Sequence, residues 1–125
     1  MKVLDASALL ALLFREPGWE LVGPHLDGGL ISTVNLSEVL GRFTRDGIDS
    51  APVLEKILAL GLTPVPFSLE ESRATSELLL PCNRLGLSFC DRACLALALT
   101  CGLPALTADR AWMRLRAGVK IELIR

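Results

Sequence analysis

The sequence predicts an α/β fold in three layers, α/β/α, around a central parallel sheet of about five strands. Three observations carry that expectation. Short apolar runs alternate with longer helical stretches along the whole chain, the pattern of strands joined by crossover helices. The helical stretches open on a small polar residue with an acid three positions later (Asn35 and Glu38, Ser68 and Glu71, Ser88 and Asp91), the spacing of a capping box. The uninterrupted apolar run Ala93 to Leu99 lies inside a stretch marked at both ends, by Ser88 and Asp91 before it and Gly102 after it. That stretch reads as a helix set deep in the core.

Taken in order, Lys2 to Asp5 reads as a buried first strand. Ser7 to Arg15 reads as a helix stopped by Glu16-Pro17-Gly18. Trp19 to Leu26 reads as a further short helix interrupted at Gly23-Pro24, and Leu30 to Thr33 as the second strand. Asn35, read as an N-cap, opens a helix from Leu36 to Arg45. Ser50 caps a helix from Ala51 to Leu60, with Pro52 in its first turn and Gly61 at its end. Thr63 to Phe67 is a third strand, which Pro64 and Pro66 make either an edge strand or a short one. A helix follows from Ser68 to about Leu80, then a loop from Pro81 to Leu87, then the central helix. Leu103 to Thr107 is a fourth strand, Asp109 to Arg116 a short helix and Val119 to Ile124 a fifth strand.

Composition narrows the class. The chain has 125 residues, 51% apolar and 22% charged, which suits one globular domain over 1–125 and excludes disorder. The high apolar share predicts an exposed apolar patch and hence a protein partner or a dimer. The net charge is −1, but ten of the thirteen basic residues are Arg, the side chain suited to bidentate phosphate contacts. The four cysteines form no C-x-x-C pair, so neither a zinc site nor a disulfide framework is expected. Cys90 and Cys94 read as small hydrophobes on one helix face. No run is long enough to span a membrane, and a cytoplasmic protein is expected. With no Tyr and four Phe, an aromatic nucleic-acid platform is not supported. Trp19 and Trp112 read as core or interface anchors, and His25 as a surface or packing residue.

Four acids carry the chemistry. Asp5 ends the first strand, Glu38 lies in the first turn after the second, Asp91 opens the central helix, and Asp109 lies just past the fourth strand. All four belong to the strand-end edge of a parallel sheet, where ligands gather. At about 4 Å, two like charges repel by roughly 4 kcal/mol at an effective dielectric of 20, and helix N-termini offset only about 0.3–1 kcal/mol each. A cation or a proton must supply the rest. Oxygen ligands select hard ions, so Mg²⁺ is the candidate, with Mn²⁺ next. Such an ion suits phosphoryl chemistry. The structural alternative is salt bridging by Arg92 and Arg110, which adjoin Asp91 and Asp109. Ser7 and Thr107 read equally as caps or as groups that orient a carboxylate; for Asn35 the cap is the favoured reading.

Four segments carry a resemblance: Val-Leu-Asp-Ala-Ser-Ala-Leu-Leu-Ala-Leu-Leu (3–13), Ile-Ser-Thr-Val-Asn-Leu-Ser-Glu-Val (31–39), Leu-Ser-Phe-Cys-Asp-Arg-Ala-Cys-Leu-Ala-Leu-Ala (87–98) and Leu-Thr-Ala-Asp-Arg-Ala-Trp (106–112). In this order they resemble the PIN-domain ribonucleases, and within them the VapC-type toxins of toxin–antitoxin pairs. The resemblance implies a PIN-like fold and metal-dependent cleavage of RNA. It implies Asp5 and Asp91 as principal Mg²⁺ ligands, Glu38 and Asp109 completing the acidic cluster, and Ser7 and Thr107 as supporting polar residues. It also implies a homodimer and a small antitoxin protein that covers the cleft. Two positions depart from the family pattern: Phe89-Cys90 stands before Asp91 where smaller residues are usual, and Pro24 breaks the second helix.

Three other readings compete. A phospho-receiver domain needs an acceptor Asp at the end of its third strand, where this chain has Phe67. A PIN fold that only binds RNA or protein has no need of four intact acids. The third is a PIN nuclease of RNA maturation, over which the small single-domain size favours a toxin.

Overall fold

The computed structural model describes residues 1–125. Five parallel strands, β1 Val3–Leu4, β2 Leu30–Ser32, β3 Thr63–Val65, β4 Ala105–Thr107 and β5 Ile121–Leu123, form one sheet in the order β3-β2-β1-β4-β5. The first strand is therefore the central one. The chain builds outward on one side to β3, then returns to lay β4 and β5 on the other. The order reverses between β1 and β4, the place where open parallel sheets bind ligands. The third strand, expected to be an edge strand or a short one, lies at the edge: Pro64, whose ring removes a donor, is in β3.

The sheet separates two apolar layers because neighbouring strand residues face opposite ways. Leu4, Ile31 and Leu106 face a core shared with Leu9 of α1 (Ala6–Phe14), Val39 of α2 (Thr33–Arg45) and Ile57 of α3 (Ser50–Ala59). Val3 and Ala105 face the other core, with Leu95 and Leu97 of α6 (Phe89–Cys101) and Trp112. Leu78, between α4 (Leu69–Glu77) and α5 (Leu79–Asn83), belongs to that second core. The three-layer α/β/α architecture is as the alternation of elements predicts. Trp112 is the core anchor expected of it, whereas Trp19 is half-buried with the Arg15 guanidinium 5.3 Å over its ring.

The central helix is bounded as its sequence says. Ser88 Oγ accepts from the Asp91 amide, the Asp91 carboxylate accepts from the Ser88 amide, and Gly102 ends the helix in the left-handed region (φ 65°). Other boundaries differ. The N-cap of α2 is Ser32, which accepts from Val34 N, so Asn35 lies inside the helix. Asp49, not Ser50, caps α3. The segment expected to be a loop from Pro81 begins inside α5, where Pro81 occupies the first turn and its missing donor costs nothing. Residues 19–25 and 110–114 wind as 3-10 turns rather than α-helix. Gly18 holds φ 91°, and a Cβ there would sit 2.1 Å from the Ile124 carbonyl oxygen. Only glycine allows the last strand's exit to lie against this turn.

Candidate active site

Asp5 follows β1 directly and occupies the N-cap position of α1, yet its side chain caps nothing. It turns instead across the sheet edge. The register pairs Leu4 with Leu106, so the next residues, Asp5 and Thr107, end the central two strands side by side. Ser7 Oγ donates to Asp5 Oδ2 at 2.6 Å and Thr107 Oγ1 donates to the same oxygen at 3.0 Å. Each hydroxyl has one proton, so both protons go to Asp5. The two hydroxyl oxygens lie 3.2 Å apart. Each in turn accepts a backbone N–H, Ala108 N to Ser7 at 2.9 Å and Asp109 N to Thr107 at 3.1 Å. Both hydroxyls thus bond to the Asp5 carboxylate, and neither residue is the N-cap of a helix. Asp5 Oδ1 accepts no hydrogen bond from the protein.

Asp5 as a residue is only 4% exposed, and its carboxyl titrates accordingly. Burial above all, with the charges of Asp91 and Glu38, raises it to about 6 against the downward pull of the two hydroxyls. Those three acids therefore act on one another across α1, α2 and α6. Asp91 stands in the first turn of α6, one of its oxygens fixed by the Ser88 amide. Glu38 is exposed on α2.

What aims Glu38 is Asn35. This residue is fully buried, and its Nδ2 donates to Glu38 Oε1 at 2.9 Å and to the Cys90 carbonyl at 2.9 Å. It thereby ties α2 to the first turn of α6. Its Oδ1 is buried without a partner, an orphan acceptor beside the acids. A cap was the expected role of Asn35. The sequence signal that points to the observed one is its i, i+3 spacing to Glu38, which puts both side chains on one helix face.

Asp109 is joined to the group through Thr107, which accepts its amide. Its carboxylate, however, caps the 3-10 turn that follows by accepting from Ala111 N at 2.9 Å. It is not among the charges that shift Asp5. His25 lies apart from all four acids; its shift, downward through burial, involves Lys2 and Glu122.

No cation of the protein neutralises the cluster. The ion pairs join Lys2 to Glu122, Arg45 to Asp46 and Arg73 to Glu77. Arg92 donates to the Thr75 carbonyl and lies over the Phe89 ring, and Arg110 donates to the Arg125 carbonyl. The expected alternative of salt bridges from these two arginines does not occur.

The cysteines offer no competing chemistry. All four are free thiols. Burial and the neighbouring Glu38 push the Cys90 thiol up to about 11, and burial raises Cys94 well above its ordinary value, so neither is a nucleophile or a soft ligand at neutral pH. No three Asp, Glu, His or Cys side chains form a ready-made cage for an ion. The donor set is one of converging carboxylates with free oxygens and an orphan amide oxygen. That set fits a hard ion that keeps several of its waters and takes one or two protein carboxylates.

Comparison with known proteins agrees with the fold. A family model described as PIN domain matches residues 2–118. A toxin–antitoxin complex from Klebsiella pneumoniae contains a chain similar to this one, with a TM-score of 0.77 and 15% identity over 100% of this chain and 98% of that one. DNA-bound VapBC from Salmonella typhimurium is similar at 0.74 and 18%, over 100% of both chains. FitAcB from Neisseria gonorrhoeae is similar at 0.68 and 18%, over 99% of this chain and 98% of that one. At these identities the likeness is one of fold. No curated protein sequence matches the chain.

Proposed function

Since this chain belongs to the PIN-domain family, we propose that it is a metal-dependent endoribonuclease, the toxin of a type II toxin–antitoxin pair. The observation that carries the reading is Asp5: a buried carboxylate at the end of the central strand, held by two hydroxyls, pressed by Asp91 and Glu38, and left without a cationic partner.

In this reading Asp5 and Asp91 hold Mg²⁺, with Mn²⁺ as a substitute. When bound, the ion polarises the scissile phosphate and acidifies a water for in-line attack. The chain's own groups do the rest. Ser7 and Thr107 keep Asp5 ionised and in one orientation. The Ser88 amide fixes Asp91. Asn35 holds Glu38 through Oε1, and the Glu38 carboxylate would accept a proton from the attacking water. Asp109 completes the acidic edge from the far side of Thr107.

The partners in this reading are RNA, a small antitoxin and a second copy of the chain. The structural neighbours that are toxin–antitoxin complexes support the antitoxin. Exposed apolar side chains such as Leu69 (90%) and Leu80 (70%) supply surface for a protein partner. No helix is long and apolar enough to cross a membrane.

The test is purified protein on structured RNAs with Mg²⁺ and with EDTA, beside Asp5→Asn and Asp91→Asn variants. Cleavage lost in EDTA and in both variants is expected; cleavage that persists in both variants removes the site. A growth assay of cells that express the chain, with and without a co-expressed candidate antitoxin, separates a toxin from a nuclease of RNA maturation.

A further inference from the structure

A second charged feature lies outside the carboxylate edge. Arg84, Arg114 and Arg116 line one hollow of about 210 Å³ together with Pro81, Leu85 and Leu115. No carboxylate lines it. None of the three guanidinium groups makes a hydrogen bond or an ion pair within the chain; the arginines that do are elsewhere.

The convergence follows from local structure. Leu85 and Leu115 pack against the α6-side core and hold the two walls in place. The backbone at Leu115 is extended (φ −72°, ψ 136°), so side chains alternate there. With Leu115 turned inward, Arg114 and Arg116 turn outward together. Arg84 faces them from the C-cap of α5. Three like charges around one concavity, with no acid to relieve them, make a site for an anion.

We propose that this hollow binds a backbone phosphate of the RNA strand whose scissile bond lies at the carboxylate edge. Each of its walls is joined in sequence to an element that starts at that edge. Arg84 precedes Ser88, the cap of the helix that carries Asp91, by four residues. Arg114 ends the 3-10 turn that Asp109 caps, and at about 2 Å rise per residue that turn spans about 10 Å. A neighbouring hollow of about 450 Å³ shares Pro81 and Arg116 and runs the other way, to Leu99 and Thr100 at the C-terminal end of α6. Its one acid, Glu77, is paired with Arg73. The identity of the ligand rests on the nuclease reading, and the interaction is of the kind that positions a strand without reading its bases.

The probe is a short single-stranded RNA of mixed sequence, titrated in EDTA against the Asp5→Asn protein so that no cleavage intervenes. Adding Arg84→Ala, Arg114→Ala and Arg116→Ala together weakens binding by about tenfold or more. The slope of log affinity against log salt becomes shallower by about 0.7 for each phosphate that the arginines no longer neutralise. Replacement of all three by Lys keeps the charge without the fork and restores part of the affinity. All three side chains are exposed, and an unchanged melting temperature confirms that folding is intact. Unchanged RNA affinity and salt slope overturn the proposal. So does loss of binding to a polyglutamate peptide with RNA binding intact, which gives the surface to an acidic protein. Arginine-dependent binding by a protein that cleaves no RNA leaves this inference standing and sinks the nuclease reading. Metal-dependent cleavage indifferent to the three arginines does the reverse.

Discussion

Thr107 Oγ1, at the end of β4, donates to Asp5 Oδ2, at the end of β1, at 3.0 Å and across 102 positions of sequence. The bond joins the two strands between which the sheet order reverses. It gives a position late in the chain a hold on the orientation of one near its start. With Ser7 it offsets part of the cost of burying that carboxylate.

Replacing Asp5 by Asn separates stability from function. A carboxyl raised from 3.8 to about 6 is penalised in its ionised form by about 3 kcal/mol, at about 1.4 kcal/mol per pH unit. The substituted amide keeps an acceptor for both hydroxyls and carries no charge. The metal-free variant is expected to melt several degrees above the wild type at pH 7.5 while RNA cleavage falls at least a hundredfold. A lower melting temperature would show that the two hydroxyl bonds to the charged form outweigh the cost of burying it.

The pH dependence has a definite sign. Asp5 is raised in the folded state, so its contribution is most favourable below 3.8 and is lost as pH rises through about 6. Metal-free protein should therefore lose stability between about pH 4 and 6 relative to Asp5→Asn. Mn²⁺ or Mg²⁺, which requires the ionised form, should raise the melting temperature more at pH 7.5 than at pH 5. Thermal melts of both proteins across that range, with and without metal, measure it.

Ser7→Ala and Thr107→Val each remove one donor from Asp5 Oδ2. The carboxyl then titrates above its present value, because both bonds hold it down. Each variant should lose about 1 kcal/mol of stability and roughly ten- to a hundredfold in activity or metal affinity. A Mg²⁺ titration of cleavage at fixed pH distinguishes weakened metal binding from misfolding.

Asn35→Ala removes the tie from α2 to the first turn of α6 and frees Glu38. It leaves the Cys90 carbonyl without its buried donor, at about 1–3 kcal/mol. Denaturant unfolding should show that loss. Cleavage should fall further than for Ser32→Ala, which removes only a cap, worth about 1 kcal/mol.

Cys90 stands next to Asp91 and, on the proposed reading, has no part in the chemistry. Held at about 11, it remains a thiol at neutral pH. Iodoacetamide should label the exposed Cys101 without loss of cleavage, and Cys90→Ser should keep activity within about threefold, as followed by mass spectrometry and assay.

The sequence made the edge legible and left the connections obscure. Ser88, Asp91 and Gly102 mark α6 because capping is a short-range interaction written in adjacent residues. Asn35 misleads for the same reason. Ser32, Thr33 and Asn35 can all cap, and what decides among them is the Cys90 carbonyl, 55 positions away. Ser50 beside Asp49 is a second such tie, settled by which oxygen reaches Ala51 N. Pro81 reads as a breaker unless its place in a first turn is known. The four acids are visible one by one. That Asp109 spends its carboxylate on a cap, and that Ser7 and Thr107 give their protons to Asp5, depends on contacts between strands that no local window contains.

The central place of the first strand has a consequence for synthesis. A nascent chain on the ribosome, or a product of early termination before Ala105, already contains Asp5, Glu38 and Asp91. Yet β1 then has no neighbour on one side and Asp5 lacks Thr107. On the nuclease reading, a chain assembled in this way has no complete carboxylate edge until its last sixth, Ala105 onward, has been threaded out.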